Sequence, residues 1–353
     1  MTIEIPGDML EGGGQIVRTS VALSALLGKC VRVTNVRAKR TPPGLKAQHV
    51  TGVRAVGALS KAEHRGLEIG STEFTFEPKG RMAGQFRFDV GTAGSIPLVL
   101  QALLPAAAFS PGKLEVEVTG GTDVNWSPTI DYLRFVQLPM LARMGYEVKL
   151  KLLRRGHYPK GGGRTVVSID PPKKLDAIQF TNQNGILKIR GISHCVKLPK
   201  HVAERQARAA EEVLEKAGYS GTIDVESFEV GKDQHLGPGS GILLYAMTGS
   251  GAIVGADAVG ERGKPAEKVG SEAAEKLVSE MKAGTPVDRH MADMLIPYMA
   301  VADGLSRIST SQISLHTLTN IRITELVTGV QFKVNGELGK LGAIEVNGIG
   351  LSS

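Results

Sequence analysis

His316 lies in the stretch Ser311-Gln312-Ile313-Ser314-Leu315-His316-Thr317-Leu318-Thr319-Asn320. Apolar residues follow at Leu318, Ile321, Leu326 and Val327, roughly one face of a helix. Ser314 suits the N-cap, which puts His316 in the first turn. There, unpaired backbone N–H groups and the positive end of the helix dipole attract phosphate and disfavour a second proton on the ring. A neutral imidazole beside bound phosphate is equipped to act as a nucleophile. A partly buried structural histidine is the plainer alternative, since the chain holds eight histidines.

Other stretches supply what such chemistry needs. Gly12-Gly13-Gly14 opens a helix and lets backbone N–H groups approach a phosphate. Glu11 beside it suits a hard divalent cation, and Arg18 a phosphate. From Lys29 to His49 the chain carries Lys29, Arg32, Arg37, Lys39, Arg40, Lys46 and His49 with no acidic residue among them. They surround a Pro42-Pro43-Gly44 loop leading into Gln48-His49, a pattern for a phosphate monoester or a polynucleotide backbone. Gly91-Thr92-Ala93-Gly94-Ser95 is either a second phosphate turn or an ordinary cap. The Arg154–Arg164 loop holds three consecutive glycines flanked by cations, which costs backbone entropy unless an unusual conformation is required. Asp293, three residues after His290, faces a ribose, a metal or solvent.

The elements that must hold these groups follow a repeated rhythm. Residues 13–27 and 45–62 read as helices, 30–36 as a strand, and 67–69 with 73–76 as a closing hairpin. Strands at 86–90 and 114–119 alternate with helices at 93–108 and 129–144, closed by 146–153 and 165–169. A shortened third round has helices at 290–302 and 316–328, then strands at 330–334 and 343–347. Residues 184–285 break the rhythm, with strands at 187–192, 222–230, 241–247 and 252–259 and helices at 202–217 and 266–281. The expected fold is α/β: three βαβαββ-like units in a pseudo-threefold main domain, residues 1–183 and 286–353. A smaller inserted α/β domain of thioredoxin-like type occupies 184–285.

With 353 residues, 42% of them hydrophobic, a large core is within reach. The longest apolar runs fall short of the ~20 residues of a membrane span, and the first residues lack a secretory signal pattern. Cys30 and Cys195 make neither a disulfide framework nor a zinc pattern, which suits a cytoplasmic protein. The net charge of +7 favours a polyanionic partner, while 5% aromatics argue against a broad base-stacking platform.

Taken in order, Glu11-Gly12-Gly13-Gly14-Gln15, Arg18, Arg37, Arg40, Gln48-His49, the Arg155–Gly163 loop and Leu315-His316-Thr317 followed by Thr319-Asn320 resemble the RNA 3′-terminal phosphate cyclase family over nearly the whole chain. The resemblance implies ATP as a substrate, a divalent metal (Mg or Mn) and an RNA bearing a 3′-terminal phosphate. It implies His316 as the nucleophile that takes AMP from ATP, AMP transfer to the RNA phosphate, and attack of the 2′-hydroxyl to close a 2′,3′-cyclic phosphate. Glu11 would hold the metal; Gln15, Arg18, Arg37, Arg40, Gln48 and His49 would surround the RNA phosphate. Gln101, Pro128, His290, Asp293 and Met294 would line the adenosine site. His290 stands where bacterial relatives have a tyrosine, and Met294 where they have a glutamine, so nucleotide preference stays open. A silent RNA-binding or ribosome-assembly factor on the same scaffold and an enolpyruvyl transferase are the competing readings; for the cyclase itself a homodimer stays open.

Overall fold

Four small mixed sheets carry the strands of this computed structural model, which describes residues 2–228 and 231–352. The first begins with β1 (Thr2–Pro6), followed by α1 (Gln15–Leu27), β2 (Cys30–Thr34), α2 (Ala47–Ser60), β3 (Glu63–Arg65) and β4 (Phe74–Glu77). β1 runs parallel to β2, β2 pairs antiparallel with β4, and β4 with β3. The second sheet contains β5 (Gly84–Asp89), α3 (Ile96–Ala107), β6 (Leu114–Gly120), α4 (Ile130–Tyr132), a π-helical turn at Leu133–Gln137, α5 (Leu138–Ala142), β7 (Val148–Arg154) and β8 (Gly163–Ile169). Its order, β5-β6-β8-β7, repeats the parallel-then-antiparallel pattern of the first.

The third sheet starts at β9 (Gln179–Phe180), but the chain first builds a fourth sheet before returning to it. That excursion comprises β10 (Ile186–Val196), α6 (His201–Lys216), β11 (Gly221–Glu226), β12 (Gly239–Thr248), β13 (Ile253–Val259) and α7 (Ala266–Lys282). The third sheet then resumes with α8 (Arg289–Val301), β14 (Leu305–Thr310), α9 (Leu315–Thr328), β15 (Lys333–Gly336) and β16 (Gly342–Asn347). β9 runs parallel to β14, and β14, β16 and β15 pair antiparallel in that order.

Several elements differ from the expectation. The first strand of the hairpin is β3 at 63–65, not 67–69; all three of its residues are exposed, so no apolar alternation marks it. β9 and β14 were not anticipated. The former is two residues long; it pairs with β14, and its Phe180 is buried in the core. The expected strand at 222–230 is β11, ending at Glu226; Glu229 and Val230 lie outside the described residues. The helix expected over 129–144 changes to π form, where the Leu138 N–H reaches back to the Leu133 carbonyl. Pro139 has no N–H to donate and crowds the preceding turn, a usual cause of such a widening.

Helices α1, α2, α3, α8 and α9 pack on one another between the first three sheets. Ile16, Val21, Leu23 and Leu26 of α1 and Leu98 to Leu104 of α3 are buried on nearly every side. α3, apolar on almost every side, and α1, whose buried face also includes polar groups, thus lie in the interior of a layered core. The fourth sheet has its own apolar core between Ile189 and Met281. Ala203, Ala207, Ala210 and Leu214 form one stripe of α6, against which α7 approaches so closely that a Cβ at Gly270 would lie 2.0 Å from the Gln206 carbonyl oxygen. No helix among the described residues is long and apolar enough to cross a membrane.

Candidate active site

The start of α9 is closed by Ser314, whose hydroxyl accepts the Thr317 N–H at 3.0 Å. This cap leaves the His316 side chain partly exposed in the first turn. Opposite stands α1, whose first residue is Gln15. The Gln15 amide nitrogen donates to the His316 carbonyl at 2.8 Å, and its oxygen meets His316 Nδ1. The first contact orients the amide, so the second must be an N–H donated by Nδ1 to the amide oxygen. The neutral ring therefore carries its proton on Nδ1 and its lone pair on Nε2. Nε2 faces Glu11 Oε1 at 3.5 Å. Burial holds His316 below the ordinary imidazole range; Glu11 opposes this, while Arg18, His290 and Arg40 add to it.

One turn further along, Thr19 Oγ1 donates to Asn320 Oδ1 at 2.8 Å. Gln15 and Thr19 are four residues apart on α1, as are His316 and Asn320 on α9. The two helices thus meet through two polar rungs in a row. Asn320 Nδ2 donates to the Asp293 carbonyl at 3.0 Å, bringing in α8. Burial pushes the Asp293 carboxyl up to about 7, against the pull of Arg18. Desolvation lowers Arg18 itself to about 10 despite Asp293 and Glu11. Gln15, Arg18, Gln101, Asp293, Met294 and Asn320 line one narrow cleft.

The glycine turn brings the remaining groups in. Gly12 has φ +65°, a conformation that glycine adopts without strain. Gly13 and Gly14 answer a different need, which is space. A Cβ at Gly13 would lie 2.2 Å from Glu11 Oε2, and one at Gly14 2.2 Å from His49 Nε2. The Glu11 N–H donates to Thr319 Oγ1 at 3.3 Å, tying the turn to α9. Glu11 Oε1 is ion-paired with Arg40, while Oε2 is buried with no partner. Lys39 Nζ donates to the Leu10 carbonyl at 2.8 Å, so the basic loop covers the turn.

His49 Nδ1 accepts the Lys46 N–H at 3.0 Å, leaving the ring proton on Nε2 beside Gly14. Burial first, then the charges of Arg18, Arg37 and Lys46, push His49 down to about 3. It is a neutral donor. Arg37 spends part of its guanidinium on the carbonyls of Pro42 and Gly44, at 3.1 and 2.9 Å, bracing its own loop.

Gln48 Oε1 accepts the Ser95 N–H at 2.9 Å. Ser95 caps α3 by accepting the Leu98 N–H, so the Gly91–Ser95 turn contains an ordinary cap. The Ser95 hydroxyl also meets that of Ser127, next to Pro128. His290, exposed at the start of α8, lies close enough for its charge to bear on His316. Thr19, Thr319 and Asn320 are site residues without a role in the sequence expectation; Thr19 and Asn320 are the two with a readable signal. Their signal was the four-residue spacing that they share with His316 and Gln15.

The cations of the 154–164 loop are largely engaged within the protein. Arg154 Nε donates to the Gly162 carbonyl at 2.6 Å, Arg164 pairs with Glu117, and Arg155 is buried among carboxylates.

Comparison with known proteins bears on this arrangement. Residues 9–334 match the family model described as RNA 3'-terminal phosphate cyclase. A protein of that name from Ignicoccus hospitalis is 51% identical over 349 residues, covering 98% of this chain and 99% of its own length. Similar proteins of the same name from Pyrobaculum aerophilum and Hyperthermus butylicus are each 50% identical; the first covers 99% of this chain and 99% of its own length, the second 98% of each.

Proposed function

The chain belongs to the RNA 3'-terminal phosphate cyclase family, and on that premise we propose that it closes an RNA 3′-terminal phosphate to a 2′,3′-cyclic phosphodiester at the expense of ATP, with His316 as the covalent nucleophile. The observation that carries this reading is the fixed tautomer of His316. Gln15 holds Nδ1–H, so the Nε2 lone pair is presented at the start of a helix where phosphate is favoured.

In the first step Nε2 attacks the α-phosphorus of ATP; an N–P bond forms and pyrophosphate leaves. The terminal phosphate of the RNA then displaces His316 from the AMP, giving an RNA-adenylate and restoring the imidazole. The adjacent 2′-hydroxyl attacks the terminal phosphorus, loses its proton, and AMP leaves as the ring closes. A phosphate monoester is a poor electrophile until AMP supplies its leaving group, which is why the work is split. Charge grows on phosphoryl oxygens throughout, so Arg18, Arg37, Arg40 and the His49 Nε2–H serve as its stabilising donors. Gln101, Pro128, His290, Asp293 and Met294 form the adenosine side of the site.

Glu11 fits a hard divalent cation. Its Oε2 is buried without a partner beside a glycine turn that leaves no room for a side chain. Mg²⁺ or Mn²⁺ takes such a single carboxylate together with substrate phosphates and water, and when bound would neutralise phosphoryl charge. Arg40, now paired with Glu11, would then be released toward the RNA phosphate.

The test is incubation with ATP labelled at the α-phosphate and a divalent metal, followed by a denaturing gel. Wild type is expected to take up acid-labile, base-stable label, and His316→Ala none. Label on both proteins moves the nucleophile elsewhere. No label on either, with folding and nucleotide binding intact, removes the adenylyl mechanism and leaves an RNA-binding role on this scaffold.

A further inference from the structure

Away from His316, three segments converge on a buried cluster at the seam between the second and fourth sheets. Asp123 follows β6, His157 lies in the connection from β7 to β8, and His194 is on β10 of the fourth sheet. Their exposures are 1%, 5% and 1%. The backbone braces the first two: Asp123 and His157 form a parallel bridge, and the Thr122 N–H donates to the Gly156 carbonyl at 2.7 Å. Two glycines of β12 make room for the imidazoles. A Cβ at Gly239 would lie 2.0 Å from His157 Cγ, and one at Gly241 2.9 Å from His194 Cε1.

The cluster is short of partners. Asp123 Oδ1, His157 Nε2 and both ring nitrogens of His194 are buried with no hydrogen bond. Each such group left unsatisfied is destabilising, so four such atoms in one place call for an occupant. The His157 ring bonds the backbone of Asp123, which leaves Nε2 as the nitrogen free to coordinate. That is how ligating histidines are usually oriented. One atom from each of Asp123, His157 and His194 lies within 4.8 Å of the others, with His194 Nε2 3.9 Å from Asp123 Oδ2. Zinc bonds of ~2.1 Å place tetrahedral donors roughly 3.4 Å apart, so a small inward movement would complete the geometry.

Charge points the same way. Asp123, Asp131 and Glu226 surround Arg155, at 3.4, 2.7 and 2.7 Å, and Asp131 also pairs with Arg134 at 2.9 Å. With neutral imidazoles, three carboxylates face two guanidiniums, and a bound cation would offset the surplus negative charge. Two nitrogens and one carboxylate favour a transition metal over magnesium or calcium.

We propose that Asp123, His157 and His194 bind a divalent transition metal of the zinc class and so clamp the fourth sheet to the rest of the molecule. It is separate from the hard-cation role of Glu11, because it shares no ligand with that site and draws on nitrogen donors.

The full-length protein is tested in two ways. Metal content is measured after dialysis against metal-free buffer, and chelator-stripped protein is titrated with Co²⁺ while its visible d–d absorption is followed. Wild type and Glu11→Gln are expected to retain about one equivalent per chain and to give intense tetrahedral-type cobalt bands. The double variant H157Q/H194Q should retain less than a tenth of an equivalent and give no bands. Chelation should lower the wild-type Tm and leave that of the double variant unchanged. If the double variant does not fold, Asp123→Asn and the wild-type cobalt spectrum decide the question. The proposal is overturned if stripped wild type takes up no cobalt with such bands, or if a folded variant of the cluster holds the metal as wild type does. In the first case the imidazoles and carboxylates share protons instead.

Discussion

One amide determines which nitrogen of His316 is free. Gln15 contacts the residue twice, at the ring and at the carbonyl, so it cannot flip without losing a bond. Gln15→Leu should leave the fold intact yet slow the transfer of AMP onto His316 by about 10–100-fold, the usual cost of losing a group that orients a functional imidazole. An unchanged single-turnover rate would show that the tautomer does not need holding. Because burial depresses His316, its neutral form persists to lower pH than that of an ordinary imidazole. The acid limb of the same reaction is therefore expected to have its midpoint below about 6.5; a midpoint above that value contradicts the assignment of the nucleophile. His49 makes a prediction about stability. Its folded value of about 3 lies below its unfolded one, so the unfolded chain binds a proton that the folded chain refuses. Stability is present in full above about pH 6.5 and falls as pH drops toward 3. His49→Gln should flatten that dependence by about 1.4 kcal/mol per pH unit across the window, as read from denaturant melts.

Among the elements, the glycine turn and the pair α1–α9 carry the site. Gly14 has an ordinary φ, so the demand at that position is for room beside His49 rather than for a special backbone. Gly14→Ala should cost about 1–3 kcal/mol, as overpacking does. It should also weaken binding of a 3′-phosphorylated oligonucleotide more than binding of ATP. Equal loss of both would mean that the turn has collapsed as a whole. The helical spacing of Gln15, Thr19, His316 and Asn320 explains why the site needs two helices packed side by side, since each polar residue finds its partner only across that interface.

At the scale of the molecule, Arg155 joins the second and fourth sheets. A guanidinium 1% exposed and ringed by Asp123, Asp131 and Glu226 cannot be removed without leaving carboxylates buried and uncompensated. Arg155→Met should therefore destabilise the protein by about 3–5 kcal/mol, and calorimetry should show whether the fourth sheet then melts separately. A stability within 1 kcal/mol of wild type would mean that the seam does not depend on this cation.

Much of this was legible in the chain itself. Ser314 ahead of an apolar period was enough to start a helix at His316, because capping and periodicity are local properties. The glycine run and the acid-free stretch from Lys29 to His49 were readable for the same reason. Strands such as β3 and β9 were not. The first has no buried face and the second is only two residues long, too short to show an alternation, so neither leaves a pattern in its own residues. The contacts that matter most were further out of reach. Gln15 and His316 are 301 residues apart, and Asp123, His157 and His194 come from three separate segments. No local period encodes which buried helix lies beside which, or which imidazole a glycine leaves room for. Those choices follow from packing the helices and sheets against one another, and only the folded chain makes them.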